Sequence, residues 1–284
     1  MSQIRVENLQ HVYSAGTPFQ KTAIENINVS IGHGEFVGII GHTGSGKSTF
    51  VQHLNALLAP TGGAVYCNDK DINKDKFSRR DVKWEVGLVF QYPEYQLFEE
   101  TVYKDIAFGP GNMKLSAEEI DARVREAAAF TGVSEELFER SPLELSGGQK
   151  RRIAIAGVMA MRPGVLILDE PTAGLDPAGC AQIMENICNY REKTGATVLI
   201  VSHNMDDAAS FTERLLVFDH GRLAMDGSPD EIFSRADELC EMGLAVPRAT
   251  AIAMELRKKG VALEGAVYTH EQLYAAILRA KEVG

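Results

Sequence analysis

The residues Gly41-His42-Thr43-Gly44-Ser45-Gly46-Lys47-Ser48, with Thr49 behind them, set three glycines among small polar side chains and close on a lysine and a serine. Glycines let a backbone curl until its N–H groups point inward at an anion, and a helix starting there adds the positive end of its dipole. Lys47 then reaches the terminal phosphates of a nucleotide, while the Ser48 hydroxyl is the hard oxygen that Mg²⁺ prefers. Asp169 and Glu170 end the apolar run Val165-Leu166-Ile167-Leu168. There Asp169 is placed to hold the metal shell and Glu170 to polarise an attacking water as general base. Between these groups lies Leu145-Ser146-Gly147-Gly148-Gln149. Its Ser-x-x-Gln spacing is a helix capping box, and its hydroxyl and glycine amides also make an anion site without a lysine, suited to a phosphate already held by another subunit.

These groups need strands and helices to hold them. Glu35 to Ile40 reads as a short buried strand feeding the glycine loop, and Phe50, Val51, Leu54 and Leu57 give the loop a helix to open. The run at 165–168 reads as a central parallel strand, whose carboxyl end is where ligands gather. From about Leu115 to Ala160 the pattern is helical, with Ser116, Glu118 and Glu119 as a capped start. Thr197 to Val201 reads as a strand, Leu215–Phe218 and Arg222–Met225 as a hairpin, and Ser228-Pro229-Asp230-Glu231 as a helix cap. Two amphipathic helices, Thr250–Lys259 and Thr269–Ala280, close the chain.

With 284 residues and 45% hydrophobic content, the chain can bury a full core. A formal charge of -10 argues against a broad nucleic-acid surface, which needs a basic face. Cys67, Cys180, Cys188 and Cys240 lack metal-ligand spacing and read as reduced thiols. No apolar run approaches the ~18 residues that span a bilayer, so the expectation is a chain soluble alone and made in the cytosol.

Taken in order, GHTGSGKS, Gln91, LSGGQ, LILDEP, AGLDP and SHNMDDA resemble the nucleotide-binding domain of ABC transporters across residues 1–226. That resemblance implies an α/β P-loop NTPase fold with a helical subdomain at about 92–160, an antiparallel β subdomain, and a core ending near 236. It implies ATP and Mg²⁺, and two such domains head to tail, each ATP lying between one phosphate loop and the opposing LSGGQ. It further implies that Tyr13 stacks on adenine, Gln91 senses the γ-phosphate and metal, Asp176 lines the seam, and His203 contacts the γ-phosphate beside Glu170.

Phe90-Gln91-Tyr92-Pro93-Glu94-Tyr95-Gln96-Leu97-Phe98 resembles the corresponding segment of energy-coupling factor transporter ATPases, and Gly16-Thr17-Pro18-Phe19 resembles the second of their two paired ATPases. The implied partners are a paralogous ABC ATPase, with a homodimer left open, a transmembrane T component, and exchangeable S components that bind vitamins or transition-metal ions. The implied location is the cytoplasmic face of the cell membrane, peripherally. Tyr92, Tyr95, Leu97 and Phe98 beside Glu94, Glu99 and Glu100 suit a groove for a basic amphipathic helix. Residues 237–284 resemble the helical extension by which such ATPases pair. An ordinary importer with a dedicated permease and a non-transport soluble ABC ATPase stay open as alternatives.

Overall fold

The computed structural model describes residues 2–283. Its strands are β1 (Ser2–Tyr13), β2 (Lys21–Gly32), β3 (Phe36–Gly41), β4 (Gly62–Cys67), β5 (Lys70–Asp71), β6 (Val86–Val89), β7 (Val165–Asp169), β8 (Thr197–Val201), β9 (Arg214–Asp219) and β10 (Arg222–Gly227). Between them run the helices α1 (Lys47–Leu54), α2 (Lys76–Glu85), α3 (Val102–Gly111), α4 (Ala117–Thr131), α5 (Gly147–Met159), α6 (Pro177–Thr194) and α7 (Met205–Phe211). The chain ends in α8 (Pro229–Ser234), α9 (Ala236–Glu241), α10 (Arg248–Lys258) and α11 (His270–Val283).

One sheet is antiparallel, in the order β2-β1-β4-β5; the other runs β10-β9-β3-β8-β7-β6, parallel from β9 to β6. Strand side chains alternate between faces, so the central strands must be apolar throughout if both faces are covered. β7 obeys this rule: Val165 and Ile167 join a core with α1 and the antiparallel sheet, while Leu166 and Leu168 join a second core with the helices α3 to α6. Helix α1 lies between the sheets with Phe50, Val51 and Leu54 fully buried.

The helix expected to run on through Leu57 stops earlier. Asn55 caps α1, Ala56 takes a left-handed φ of 54°, and Leu57 is 43% exposed. The helical stretch expected from 115 to 160 is likewise broken: Gly132 caps α4, and two 3-10 turns, Glu135–Leu137 and Pro142–Glu144, intervene before α5. At the C-terminal end, Ile232, Phe233, Leu239 and Leu244 pack with Ile40, Leu215 and Val217 of the core. Helices α10 and α11 enclose a cluster of their own around Ala249, Ala253, Leu263, Val267 and Leu273. No helix among the described residues is long and apolar enough to cross a membrane.

Candidate functional site

Every residue of β3 is buried, and the strand delivers the glycine loop to the carboxyl edge of the parallel sheet. Gly46 caps α1 at φ 106°, and a Cβ there would sit 2.6 Å from Ile24 Cγ2 and 2.8 Å from the Ala23 carbonyl oxygen. The loop thus packs against β2 only because this residue is glycine. Gly44, at φ 82°, faces open space. Lys47 is 5% exposed, and its ammonium donates to the carbonyls of Gly41 at 2.7 Å and His42 at 3.0 Å. Burial pushes the Lys47 ammonium below its ordinary value, against the opposing pull of Glu170 and Asp169.

Asp169 ends β7 and is 6% exposed; burial raises its carboxyl above the usual range, opposed by the hydrogen bond from Ser48. Glu170 follows in a left-handed conformation, φ 53°, with its N–H donating to the Val201 carbonyl at 3.0 Å. A non-glycine residue held so costs on the order of 1–3 kcal/mol, and such strain gathers where a side chain must be aimed. The Glu170 carboxylate is gripped from two sides: Gln91 Nε2 donates to Oε2 at 2.7 Å, and His203 Nε2 lies 2.8 Å from Oε1.

Lys47, Ser48, Gln91, Glu170 and His203 line a cleft of about 420 Å³. Its opposite side is Tyr13, Lys21 and Ala23 of the antiparallel sheet, with Thr43, Gly44, Gly46 and Thr49 between. Tyr13 is 39% exposed and its hydroxyl lies 3.2 Å from Thr49 Oγ1. Gly41 and Ser45 sit behind the cleft; Ser45 is fully buried and its carbonyl accepts from Gly221 N–H at 3.0 Å. His42 turns its ring away to Asp219, at 3.1 Å.

Ser146, Gly147, Gly148, Gln149 and Asp176 do not line this cleft. The capping box forms as expected, with Gln149 N–H donating to Ser146 Oγ at 3.3 Å and Ser146 N–H to Gln149 Oε1 at 3.0 Å. A Cβ on Gly147 or Gly148 would meet nothing within 4 Å, so the chain leaves open space beside these two residues. Asp176 caps α6 through Gly179 N–H at 2.7 Å and is exposed.

Sequence reasoning missed Arg151. It is 3% exposed and grips Glu94 with two contacts, Nη2 to Oε1 at 2.8 Å and Nε to Oε2 at 3.1 Å, while Nη1 donates to the Pro171 and Ala173 carbonyls. The helix that starts at Ser146 is thereby tied to the segment after Gln91 and to the chain leaving Glu170. Glu94, expected among the acids of a groove for a basic amphipathic helix, instead faces inward onto Arg151, because a buried guanidinium needs a bidentate carboxylate. The aromatic part of that reading does reach the surface, with Tyr95 85% and Phe98 64% exposed. Phe98 lines a groove of about 300 Å³ together with Trp84, Leu97 and Phe108.

Residues 24–173 match the ABC transporter family. The energy-coupling factor transporter ATP-binding protein EcfA2 of Caldanaerobacter subterraneus is 53% identical, the match covering 97% of this chain and 96% of that protein. The protein of the same description from Clostridium perfringens is 50% identical over 97% of each. Among solved structures, cbiO1 of Clostridium perfringens, described as part of the ABC transporter complex cbiONQ, superimposes with a TM-score of 0.76 at 38% identity, covering 89% of this chain and 99% of that one. A dimeric ATP-binding cassette in a post-hydrolysis state, bound to ADP and Pi, gives a TM-score of 0.72 at 30% identity, over 80% of this chain and 98% of that one.

Proposed function

Because the chain belongs to the ABC transporter family, and within it to the ATP-binding proteins of energy-coupling factor transporters, we propose that its cleft hydrolyses ATP only against the LSGGQ surface of a second ATPase. The chain is the ATP-hydrolysing, energy-coupling subunit of an importer of this type. The observation that carries the site assignment is the Glu170 carboxylate, held between Gln91 and His203 in the same cleft as Lys47.

Within that reading Tyr13 stacks on the adenine, the loop amides from Gly41 to Thr49 and the Lys47 ammonium hold the phosphates, and Glu170 takes a proton from the attacking water. His203 Nε2 and Gln91 Nε2 keep that carboxylate aimed. The oxygens of Ser48, Asp169 and Gln91 are hard donors that fit Mg²⁺, which when bound neutralises charge on the phosphates. Ser146, Gly147, Gly148 and Gln149 serve the partner's nucleotide, with Asp176 at the seam. The exposure of Ser146, Gly147 and Asp176, and the open space beside Gly147 and Gly148, support this role.

The partner is a paralogous ATPase or a second copy. The groove at Phe98 and Phe108 receives an amphipathic helix of a transmembrane T component, to which exchangeable S components bring vitamins or transition-metal ions. The complex sits at the cytoplasmic face of the membrane. The pairing surface includes the helices beyond residue 236, whose Ile252, Tyr274 and Leu278 side chains are exposed. Gentle solubilisation of native membranes, capture of this chain and mass spectrometry test the reading. It predicts a second ABC ATPase, one T-like protein and several small membrane proteins. A single dedicated permease, or soluble partners alone, would contradict it.

A further inference from the structure

His42 belongs to the phosphate loop, yet its ring turns out of the cleft. Nδ1 lies 2.9 Å from the Thr43 carbonyl oxygen and Nε2 lies 3.1 Å from Asp219 Oδ1. Both neighbours only accept hydrogen bonds, and a neutral imidazole has one proton for two nitrogens. Once that proton is given to one oxygen, the other nitrogen points a lone pair at the second. A cation at that nitrogen resolves the conflict. A second imidazole stands at the same place: the His220 ring centroid is 5.1 Å from that of His42, and His220 Nε2 is 3.7 Å from Asp219 Oδ1. One ligand atom from each of His42, Asp219 and His220 falls within 4.8 Å of the others.

The placement of His220 is not explained by packing. It is exposed, at φ 43°, in the tight turn between β9 and β10, followed by Gly221 at φ 78°. Turns with two such residues favour asparagine or glycine at the first position.

We propose that His42, Asp219 and His220 form a binding site for a divalent transition-metal ion, separate from the oxygen-lined site of Ser48 and Asp169. Two imidazoles and a carboxylate suit Zn²⁺, Co²⁺ or Ni²⁺, whereas Mg²⁺ takes oxygen. Donation from His42 Nδ1–H to the Thr43 carbonyl selects the tautomer whose Nε2 ligates, the usual outer-shell arrangement of a metal-bound histidine. Solvent supplies the remaining ligands. Occupancy fastens residue 42 to a turn that already donates Gly221 N–H to Ser45, so the phosphate loop stiffens when the ion binds.

The test is titration of the tag-free full-length chain with CoCl₂, without nucleotide or Mg²⁺, followed by calorimetry and visible absorption. His220→Asn is the comparison, since asparagine suits the left-handed position and preserves the turn. The expected result is one Co²⁺ per wild-type chain, no thiolate charge-transfer band, and affinity weaker by roughly tenfold or more in H220N. Hydrogen exchange at residues 42–46 slows with Co²⁺ in the wild type alone. Equal affinity in both chains, or a thiolate band, overturns the site. So does absence of saturable uptake; two ring protons on His42 in ¹⁵N NMR would then assign the second contact to an imidazolium.

Discussion

The cleft and the LSGGQ surface carry comparable chemistry, yet they differ in how they are finished. In the cleft almost every polar group is answered from within the chain: Lys47 by loop carbonyls, Glu170 by Gln91 and His203, Asp169 by Ser48. At Ser146 the cap is complete but Gly147 and Gly148 look into open space, and Asp176 is exposed above its helix. One region is preorganised; the other is open, and under our proposal it serves a phosphate that this chain does not hold. Arg151 is the physical link between them, one buried guanidinium touching both the segment after Gln91 and the exit from Glu170.

The sharpest way to break the preorganised half is Glu170→Gln. Hydrolysis in the purified complex falls by roughly 10² to 10⁴, the range for loss of a general base, while filter binding of ATP is retained. Unchanged phosphate release would remove Glu170 from that role. The outward half is broken by Ser146→Arg, which sets a bulky cation where the partner's phosphate is received. Turnover at the partner's nucleotide falls by about 10²-fold, while ATP binding to this chain's own loop is kept. If ATP binding to this chain's own loop dropped as well, the two halves would not be distinct.

Severing the link comes next. Arg151→Met strands the Glu94 carboxylate, 14% exposed, without its partner, and denaturant unfolding should register a loss of about 3 kcal/mol. Glu94→Gln with Arg151→Met recovers part of it; no recovery would deny the pairing. The smallest effect probes the core beneath the cleft. Burial, helped by His11, depresses His53 from 6.5 to about 4. The unfolded chain therefore takes up a proton first as pH falls, so stability is fully present above about 6.5 and is lost between 6.5 and about 4, by at most about 3 kcal/mol. His53→Gln flattens that slope in urea unfolding followed from pH 7.5 to 4.5. An unaltered slope would place the titration elsewhere.

Much of this was legible in the residues. The continuous apolar run at 165–168 reads as a central parallel strand, and Ser146 with Gln149 carried its cap openly. What escaped depends on contacts far apart in the chain. Lys21 reaches the cleft because it pairs with Tyr13 across irregular register shifts between β1 and β2. His42 meets Asp219 because β3 and β9 run parallel with Gly41 opposite Phe218, a neighbour relation that no local pattern encodes. Lys150, Arg151 and Arg152 are three consecutive bases that nothing local distinguishes, and the fold buries the middle one. The end of α1 was missed because a left-handed alanine has no compositional signal.

Under this proposal a cleft complete in itself still needs another chain's signature surface. That need is tested most directly by steady-state ATP hydrolysis at fixed concentration of this chain with increasing amounts of its partner ATPase. Near-zero turnover is expected while this chain is monomeric, with a per-chain rate that climbs with partner and saturates at one to one, unless the partner carries arginine at its own signature serine. Should this chain act alone, full turnover per chain independent of both its own and its partner's concentration would contradict the account.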